Sequence, residues 1–448
     1  MLTVRDDDGT ASQVSLARLT RTGEEAVAML GLGLSEGKQV VARLQHEIVV
    51  RQFEATAQRR RCCAQCGVTR SIKDYHSARF RSLFGDVDLR VARYVKCGCV
   101  QPPKAGARVP RPCWTSAELE CVQSELAATV SYKRSAQILH MLLPIGSGNG
   151  ATTVRDRTLR VGQRLEAELT AAAPPNAQQS SVTTVGLDGG YVRHCSPEPT
   201  KTFEIIAGRV LTEDGSQRSV GFVRSIDEHS RERVQRAIAE HGGASDDLKV
   251  FTDGDSQLRE LQMSVLPKAT HVLDWYHLTR RLTVLSNVIH SKDAAEQLPT
   301  RDHDRLSEWI ESIKWRLWHG RSAKAIARLE SMLNVLARPS LARRAVVIRT
   351  RKLAIELRRY LSNNVDSLPD YGRRYRAGER IATSFVESAV NQIIDKRMSK
   401  SQQMRWDPHS AHLLLQVRTS VLDGRLRKDF ARWYPGFAAN DSALQLSA

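Results

Sequence analysis

Apolar positions along this chain keep three different rhythms. In residues 1–60, Val40, Val41, Leu44, Ile48, Val49 and Phe53 recur near helical spacing, which predicts an amphipathic helix over GKQVVARLQHEIVVRQFEATAQRRR. The period then shortens. In FRSLFGDVDLRVARYVKCGC the alternation of Val87, Leu89 and Val91, followed by Tyr94, predicts short strands within a cysteine-rich segment, 61–115. From Ser116 to Leu169 the pattern turns helical three times, in SAELECVQSELAATV with its N-cap serine, in SYKRSAQILHMLL, and after the turn PIGSGNGA in TTVRDRTLRVGQRLEAEL.

The stretch AAAPPNAQQSS, 171–181, is small, polar and aperiodic, and reads as a linker. Behind it SVTTVGLDGG, KTFEIIAGRVL and SVGFVRSI predict a three-strand meander, RERVQRAIAEHGG a helix, and DLKVFTDGD and ATHVLDWYHL two more strands. This describes an α/β layer with a mixed sheet over 182–278. Across 279–380 glycine is confined to Gly320, Gly372 and Gly378, and LSEWIESIKWRLWHG and RSAKAIARLESML carry apolar residues at helical intervals, so an all-helical insertion is expected. Its Trp309, Trp315 and Trp318 are assigned to a helical core. In 381–448 SFVESAVNQIIDKRM returns as one more helix.

At 448 residues the chain is long enough for two to four domains. Lys and Arg outnumber Asp and Glu by 67 to 49, a formal charge of +18 spread over the whole length, which points to a polyanionic partner. The start MLTVRDDDGT lacks the basic and apolar run of a secretory signal, and no apolar stretch reaches spanning length, so a cytoplasmic protein without a membrane partner is expected. No GxxxxGK[ST] loop is present, and no nucleotide cofactor is expected.

Two short helices, a Gly-rich turn and a helix opening with Thr152, Thr153, Arg155 and Arg157, with Arg160 following, fit a helix-turn-helix whose last helix reaches a major groove. A plain three-helix connector with exposed charges fits the same pattern. Among the eight cysteines, Cys62, Cys63, Cys66, Cys97 and Cys99 crowd together. In a reducing compartment such a cluster suggests a metal before disulfides. Cys63 and Cys66 make a Cys-x2-Cys knuckle, with Cys62 as an alternative ligand, and a Zn²⁺ site with Cys97 and Cys99 is expected. The second pair is one residue shorter than a knuckle, which leaves His76 or Cys113 as alternative ligands and buried reduced thiols as the alternative to metal. Cys121 and Cys195 stand alone.

Three carboxylates stand out by position. Asp188 is read as ending a strand at GLDGG, Asp253 as ending another at VFTDGD, and Glu387 lies early in a helix. An acid at the carboxyl end of a strand is where open α/β sheets build sites, and a following glycine permits a sharp turn. If the three converge, their mutual repulsion calls for a divalent cation with oxygen ligands, Mg²⁺ or Mn²⁺. Two such ions about 4 Å apart activate a water or a 3′-hydroxyl for attack on a phosphodiester. Singly, each acid is also ordinary turn or helix-start chemistry.

The order GLDGG, TDG, HVLDWYHLTRRL, a helical insertion, then FVESAVNQIIDKRMSKSQQMRW and LLLQVRTSVLDG resembles the DDE transposases of bacterial insertion sequences, specifically the ISKra-type group, itself similar to Mutator-like transposases. The resemblance runs from the cysteine pairs to about Arg425. It implies a ribonuclease-H-like catalytic core split by an all-helical insertion and preceded by a zinc-binding β segment and a helix-turn-helix-like domain. By position Asp188, Asp253 and Glu387 match the family's three metal-binding acids, 65 and 134 residues apart, with Asp255 as a rival for the second place. The family's signature after the second acid falls on Asp274 and His277, and Arg397 and Trp406 follow as a phosphate contact and a stacking platform, against a capped helix start, a surface charge and a packed indole. The implied activity is metal-dependent strand cleavage and transfer at the terminal inverted repeats, on double-stranded element ends and target DNA, by a homodimer or larger assembly. A DNA-binding regulator and a hydrolytic nuclease on the same fold are the alternatives.

Overall fold

The apolar face of the first long helix has a partner close by in sequence. The computed structural model describes residues 2–5, 11–21, 27–99, 114–146, 148–171, 181–196, 201–241, 243–382, 384–399 and 404–437. They fall into two units, Met1–Gln163 with Gly424–Ala448, and Arg164–Asp423. In the first, β1 (Leu2–Arg5) and β2 (Ala11–Val14) pair antiparallel. Helix α1 (Leu34–Arg61) follows, then a hairpin of β3 (Ile72–Ser82) and β4 (Gly85–Tyr94). Val49 of α1 is buried with Val87 and Leu89 of β4, and Phe53, Phe80 and Trp114 pack around them. The Tyr94 hydroxyl donates to the Ala57 carbonyl at 2.7 Å and closes the same contact. Strand β3 begins eight residues before the predicted strand region because its first half is exposed and polar, so nothing alternates there.

Three helices complete this unit as expected: α2 (Ala117–Thr129), α3 (Tyr132–Leu142) and α4 (Ala151–Ala171), the last continuing into the residues of the second unit. Ser116 and Ser131 accept hydrogen bonds from the Leu119 and Arg134 amides, satisfying donors that a helix start leaves free. Residues 172–180 of the expected linker lie outside the described residues.

In the second unit β5 (Val182–Arg193), β6 (Thr202–Thr212) and β7 (Gln217–Val223) form the antiparallel meander, followed by α5 (Ser230–Ala239), β8 (Ala244–Thr252), α6 (Ser256–Val265) and β9 (Thr270–Leu273). The sheet order is β7-β6-β5-β8-β9, with β5, β8 and β9 parallel, a mixed five-stranded sheet in an α/β chain. Helix α6 was not read from the sequence. Parallel pairing of β8 with β9 demands a crossover, and SQLRELQMSV supplies it.

The helical layer consists of α7 (Trp275–Ile289), α8 (Lys292–Gln297), α9 (Thr300–Trp318), α10 (Ser322–Leu336), α11 (Ala345–Asn363) and α12 (Tyr371–Arg376). Leu282, Ile313, Met332 and Leu361 meet in its core together with Trp309. Trp318 packs on Trp275 with ring centroids 5.1 Å apart. Trp315 departs from the expectation: it is 54% exposed and stacks on His319. Two residues from both Ile313 and Leu317, it lies about 180° around α9 from the stripe that Leu306, Trp309, Ile310, Ile313 and Leu317 bury.

Helix α13 (Ser384–Val390) passes into a nine-residue π-helical run, Asn391–Ser399, and α14 (Pro408–Leu422) follows. These lie on the sheet where it has no side chains. A Cβ at Gly186 would stand 2.0 Å from Val386, one at Gly190 2.6 Å from Ile394, and one at Gly221 3.1 Å from Ile393. The wide π turn is held from outside, since the buried Arg418 of α14 donates to the carbonyls of Gln392 and Ile393. The last helix, α15 (Leu426–Trp433), belongs to the first unit rather than to the second as the sequence boundary had it, and Arg427 pairs there with Glu118 of α2 at 3.0 Å. No helix among the described residues is long and apolar enough to cross a membrane.

The glycine floor gives a direct test. Gly186→Ala must displace Val386, and overpacking of this kind costs about 1–3 kcal/mol. Gly37→Ala, with no atom within 4 Å of the new Cβ, is expected to leave the urea midpoint unchanged or raise it.

Candidate active site

Strand β5 outruns its parallel neighbour. Its last pairing with β8 is Gly186 with Phe251, whereas its pairing with β6 continues to Arg193. Asp188 therefore sits in mid-strand, just beyond the point where β8 stops, and does not end a strand as the GLDGG pattern suggested. The two glycines stay extended because β6 supplies their ladder bonds. Instead of a turn, Gly190 provides clearance for Ile394 of the helix above, and Gly189 for the Glu204 side chain of β6.

Asp253 does directly follow its strand. Gly254 takes φ +84, a conformation open to glycine, and Tyr360 of α11 donates its hydroxyl to the Asp253 carbonyl at 2.7 Å. The rival acid is engaged elsewhere: Asp255 accepts from the Gln257 and Leu258 amides as the N-cap of α6. Glu387 lies in the first turn of α13, exposed, and accepts a hydrogen bond from the Tyr276 hydroxyl, which pushes the tyrosine's pKa up.

Asp188, Asp253 and Glu387 line one cleft of about 980 Å³, together with His277, Arg280 and Asp395. His277 Nε2 lies 3.7 Å from Asp188 and 3.7 Å from Asp274. Asp274 is fully buried, caps α7 through the Tyr276 amide and is not part of the cleft wall; it orients His277. Burial pushes the Asp188 carboxyl up to about 6, with the charges of Asp253 and Asp274 adding to the shift and His277 opposing it. The three acids stand around the cleft rather than at a point. Among the described residues, only a set of cysteines has metal-ligating atoms all within 4.8 Å of one another.

Arg397 and Trp406 are corrected. Each is 4% exposed, the guanidinium lies 5.1 Å from the indole centroid, and the indole N–H donates to the Met398 carbonyl. Neither lines the cleft; the pair fastens the end of the π run to the chain beyond it. Tyr276, Arg280 and Asp395 were missed. The first two share a face of α7 with His277 and were open to a helical wheel counted from Asp274. Asp395 was not: in a continuous α-helix a residue eight after Glu387 lies roughly 80° around. A π turn of about 4.4 residues brings it back to the same side.

The cysteine set is Cys63, Cys66, Cys97 and Cys99. Four thiolates ~2.3 Å from one tetrahedral ion lie about 3.8 Å apart, so this cluster can hold a metal such as zinc. The knuckle turns on Gly67 at φ +71, and the Cys66 and Gln65 amides pull the Cys63 thiol down to about 6. The hydrogen bond to Cys66, with burial, pushes Cys99 up to about 12. Cys97 and Cys99 both reach the cluster despite their short spacing. Cys62 is exposed, with its thiol on the Gly67 carbonyl, and His76 is exposed on β3, so neither joins. Cys113 lies outside the described residues.

On α4, Thr152, Arg155 and Arg160 are exposed and Thr153 is half-buried. Arg157 is corrected: it is 3% exposed and donates to Gln123 at 2.9 Å and Thr115 at 3.3 Å, tying α4 to α2, and it cannot reach a groove. No protein-family model matches the chain, and no curated protein sequence matches it.

Two outcomes are expected. Because the folded Asp188 pKa lies above the ordinary carboxylate value of about 3.9, its contribution to stability is complete below that value and lost as pH rises through about 6. In buffer free of divalent ions, wild type should therefore gain about 1 kcal/mol relative to Asp188→Asn between pH 7.5 and pH 5, measured by urea unfolding. For the cysteines, metal analysis should find about one Zn²⁺ per chain, lost in Cys63→Ser and retained in Cys62→Ser.

Proposed function

We propose that the protein is a DDE-type DNA transposase on a ribonuclease-H-like core, which binds the terminal inverted repeats of its insertion sequence and cleaves and transfers DNA strands. The observation that carries this reading is the cleft: three carboxylates, from β5, the turn after β8 and α13, face one space at the edge where two parallel strands part. The sheet order and the helical layer between Asp253 and Glu387 support the fold assignment. The four-cysteine cluster supports a zinc-binding β segment ahead of it.

Asp188, Asp253 and Glu387 would hold Mg²⁺ or Mn²⁺, as two ions. Hard oxygen donors suit these cations, and Asp188, raised first by burial and further by the charges of Asp253 and Asp274, would be returned to its ionised form by a cation bound beside it. When bound, such ions lower the pKa of an attacking water or 3′-hydroxyl and stabilise the leaving oxygen. The chain's own groups do the rest. Tyr276 holds Glu387, Asp274 holds His277 against Asp188, and Arg280 offers a charge-assisted hydrogen bond to a phosphate. Thr152, Thr153, Arg155 and Arg160 on α4 are left to contact DNA, and the charge of +18 draws it in.

The test is Mg²⁺- or Mn²⁺-dependent cleavage of a plasmid carrying the DNA that flanks the gene, with wild type beside Glu387→Gln and equal DNA binding verified. Breaks and joined strands at the element ends, reduced about a thousandfold in the variant, are expected. Breaks without joined strands would make the protein a hydrolytic nuclease, and binding without breaks a regulator.

A further inference from the structure

The wall of the cleft carries a fourth carboxylate, Asp395, beside Asp188, Asp253 and Glu387. Its place follows from how the last helix seats on the sheet. Val386 fills the room above Gly186 and Ile394 the room above Gly190, so α13 and its π-helical continuation run along β5 in the strand's own direction. Four strand residues span roughly 13 Å and eight helical residues about 12 Å, which keeps the two seats in step. Asp188 stands midway between the two glycines, on the same face of the strand. Glu387, next to Val386, and Asp395, next to Ile394, are thereby carried to its two sides.

The π pitch that turns Asp395 inward is held from both neighbouring elements. Arg418, 3% exposed, donates to the Ile393 carbonyl at 2.7 Å and to the Gln392 carbonyl, and Arg209 of β6 donates to the Gln392 side chain at 2.5 Å. Burying a guanidinium is costly, and burial lowers the Arg418 pKa to about 10. A π segment maintained in this way is frequent at functional sites.

One cation cannot use all the acids. Oxygens bound to a single Mg²⁺ at about 2.1 Å lie at most about 4.2 Å apart. Among the described residues no three carboxylates have oxygens all within 4.8 Å of one another. The acids can therefore be shared between two ions but not gathered on one, and four carboxylates match the charge of two divalent cations.

We propose that Asp395 is a ligand of the second cation, on the side of Asp188 opposite Glu387. This rests on the reading of the cleft as a two-cation site and adds a ligand to it. No bond is made or broken at Asp395.

The experiment counts Mn²⁺ bound by the full-length protein without DNA, from the electron paramagnetic resonance signal of the free ion. One equivalent of Zn²⁺ is added first, to fill the cysteine cluster. Wild type should bind two Mn²⁺. Asp395→Asn, isosteric at a half-buried position, should bind one: the second ion is weakened more than tenfold while the first stays within about threefold. The urea midpoint, measured alongside, verifies that the variant is folded. Glu387→Gln should also retain one ion and the double variant neither, since the two acids serve different cations. Two ions in Asp395→Asn, or equal weakening of both ions as a mere loss of charge would give, would overturn the role of Asp395. Fewer than two ions in wild type would instead overturn the two-cation reading of the cleft, and the fourth ligand with it.

Discussion

Asp188 and Glu387 face the same space because almost nothing separates their backbones. Gly186 and Gly190 on β5 and Gly221 on β7 leave the sheet without side chains where α13 and its π-helical continuation lie, and Val386 and Ile394 fill that room. A methyl group at the tightest of these positions would lift the helix and with it the third carboxylate. The close approach fixes the site more firmly than any hydrogen bond within it, since packed atoms cannot be compressed, whereas exposed polar contacts can be exchanged for water.

Electrostatics sets the second constraint. A chain of formal charge +18 concentrates carboxylates in one cleft and buries another, Asp274, behind it. Each of these carboxylates accepts a backbone hydrogen bond: the Gly189 amide on Asp188, the Asp255 amide on Asp253 and the Tyr276 amide on Asp274. These offset part of the cost of placing the carboxylates close together. Arg280 lies in the cleft wall, whereas its neighbour Arg281 stands over the face of Tyr360.

The elements that were legible in the sequence are those whose apolar period is regular over several turns or strand repeats, such as α1, the meander β5–β7 and the helical layer. Serine caps at Ser116 and Ser131 mark their helices in the sequence and in the fold alike. The exposed half of β3 and the crossover α6 were not legible, since pairing partners are properties of the folded chain, whereas the exposure of Trp315 was open to a helical wheel drawn on Leu306, Ile310, Ile313 and Leu317. At the site, the positions of Asp253 and Glu387 on their elements could be read, but the strand running through Asp188 could not, because Asp-Gly-Gly signals a turn unless an antiparallel neighbour holds it straight. Arg157 looked like a groove contact by its place in α4, and only the facing Gln123 reveals it as an internal tie. Asp395 depends on a helical pitch that composition does not announce.

The contact between Tyr360 and the Asp253 carbonyl also orders events in time. It joins residues 107 positions apart, and the helix bearing Glu387 follows later still. At a synthesis rate of about 5–20 residues per second, Asp253 leaves the ribosome several seconds before its anchor, and longer before the last acid. The sheet can form in that interval, but a complete carboxylate cleft cannot. For several seconds, therefore, the chain outside the ribosome carries the first two acids without the element that holds the second of them in place.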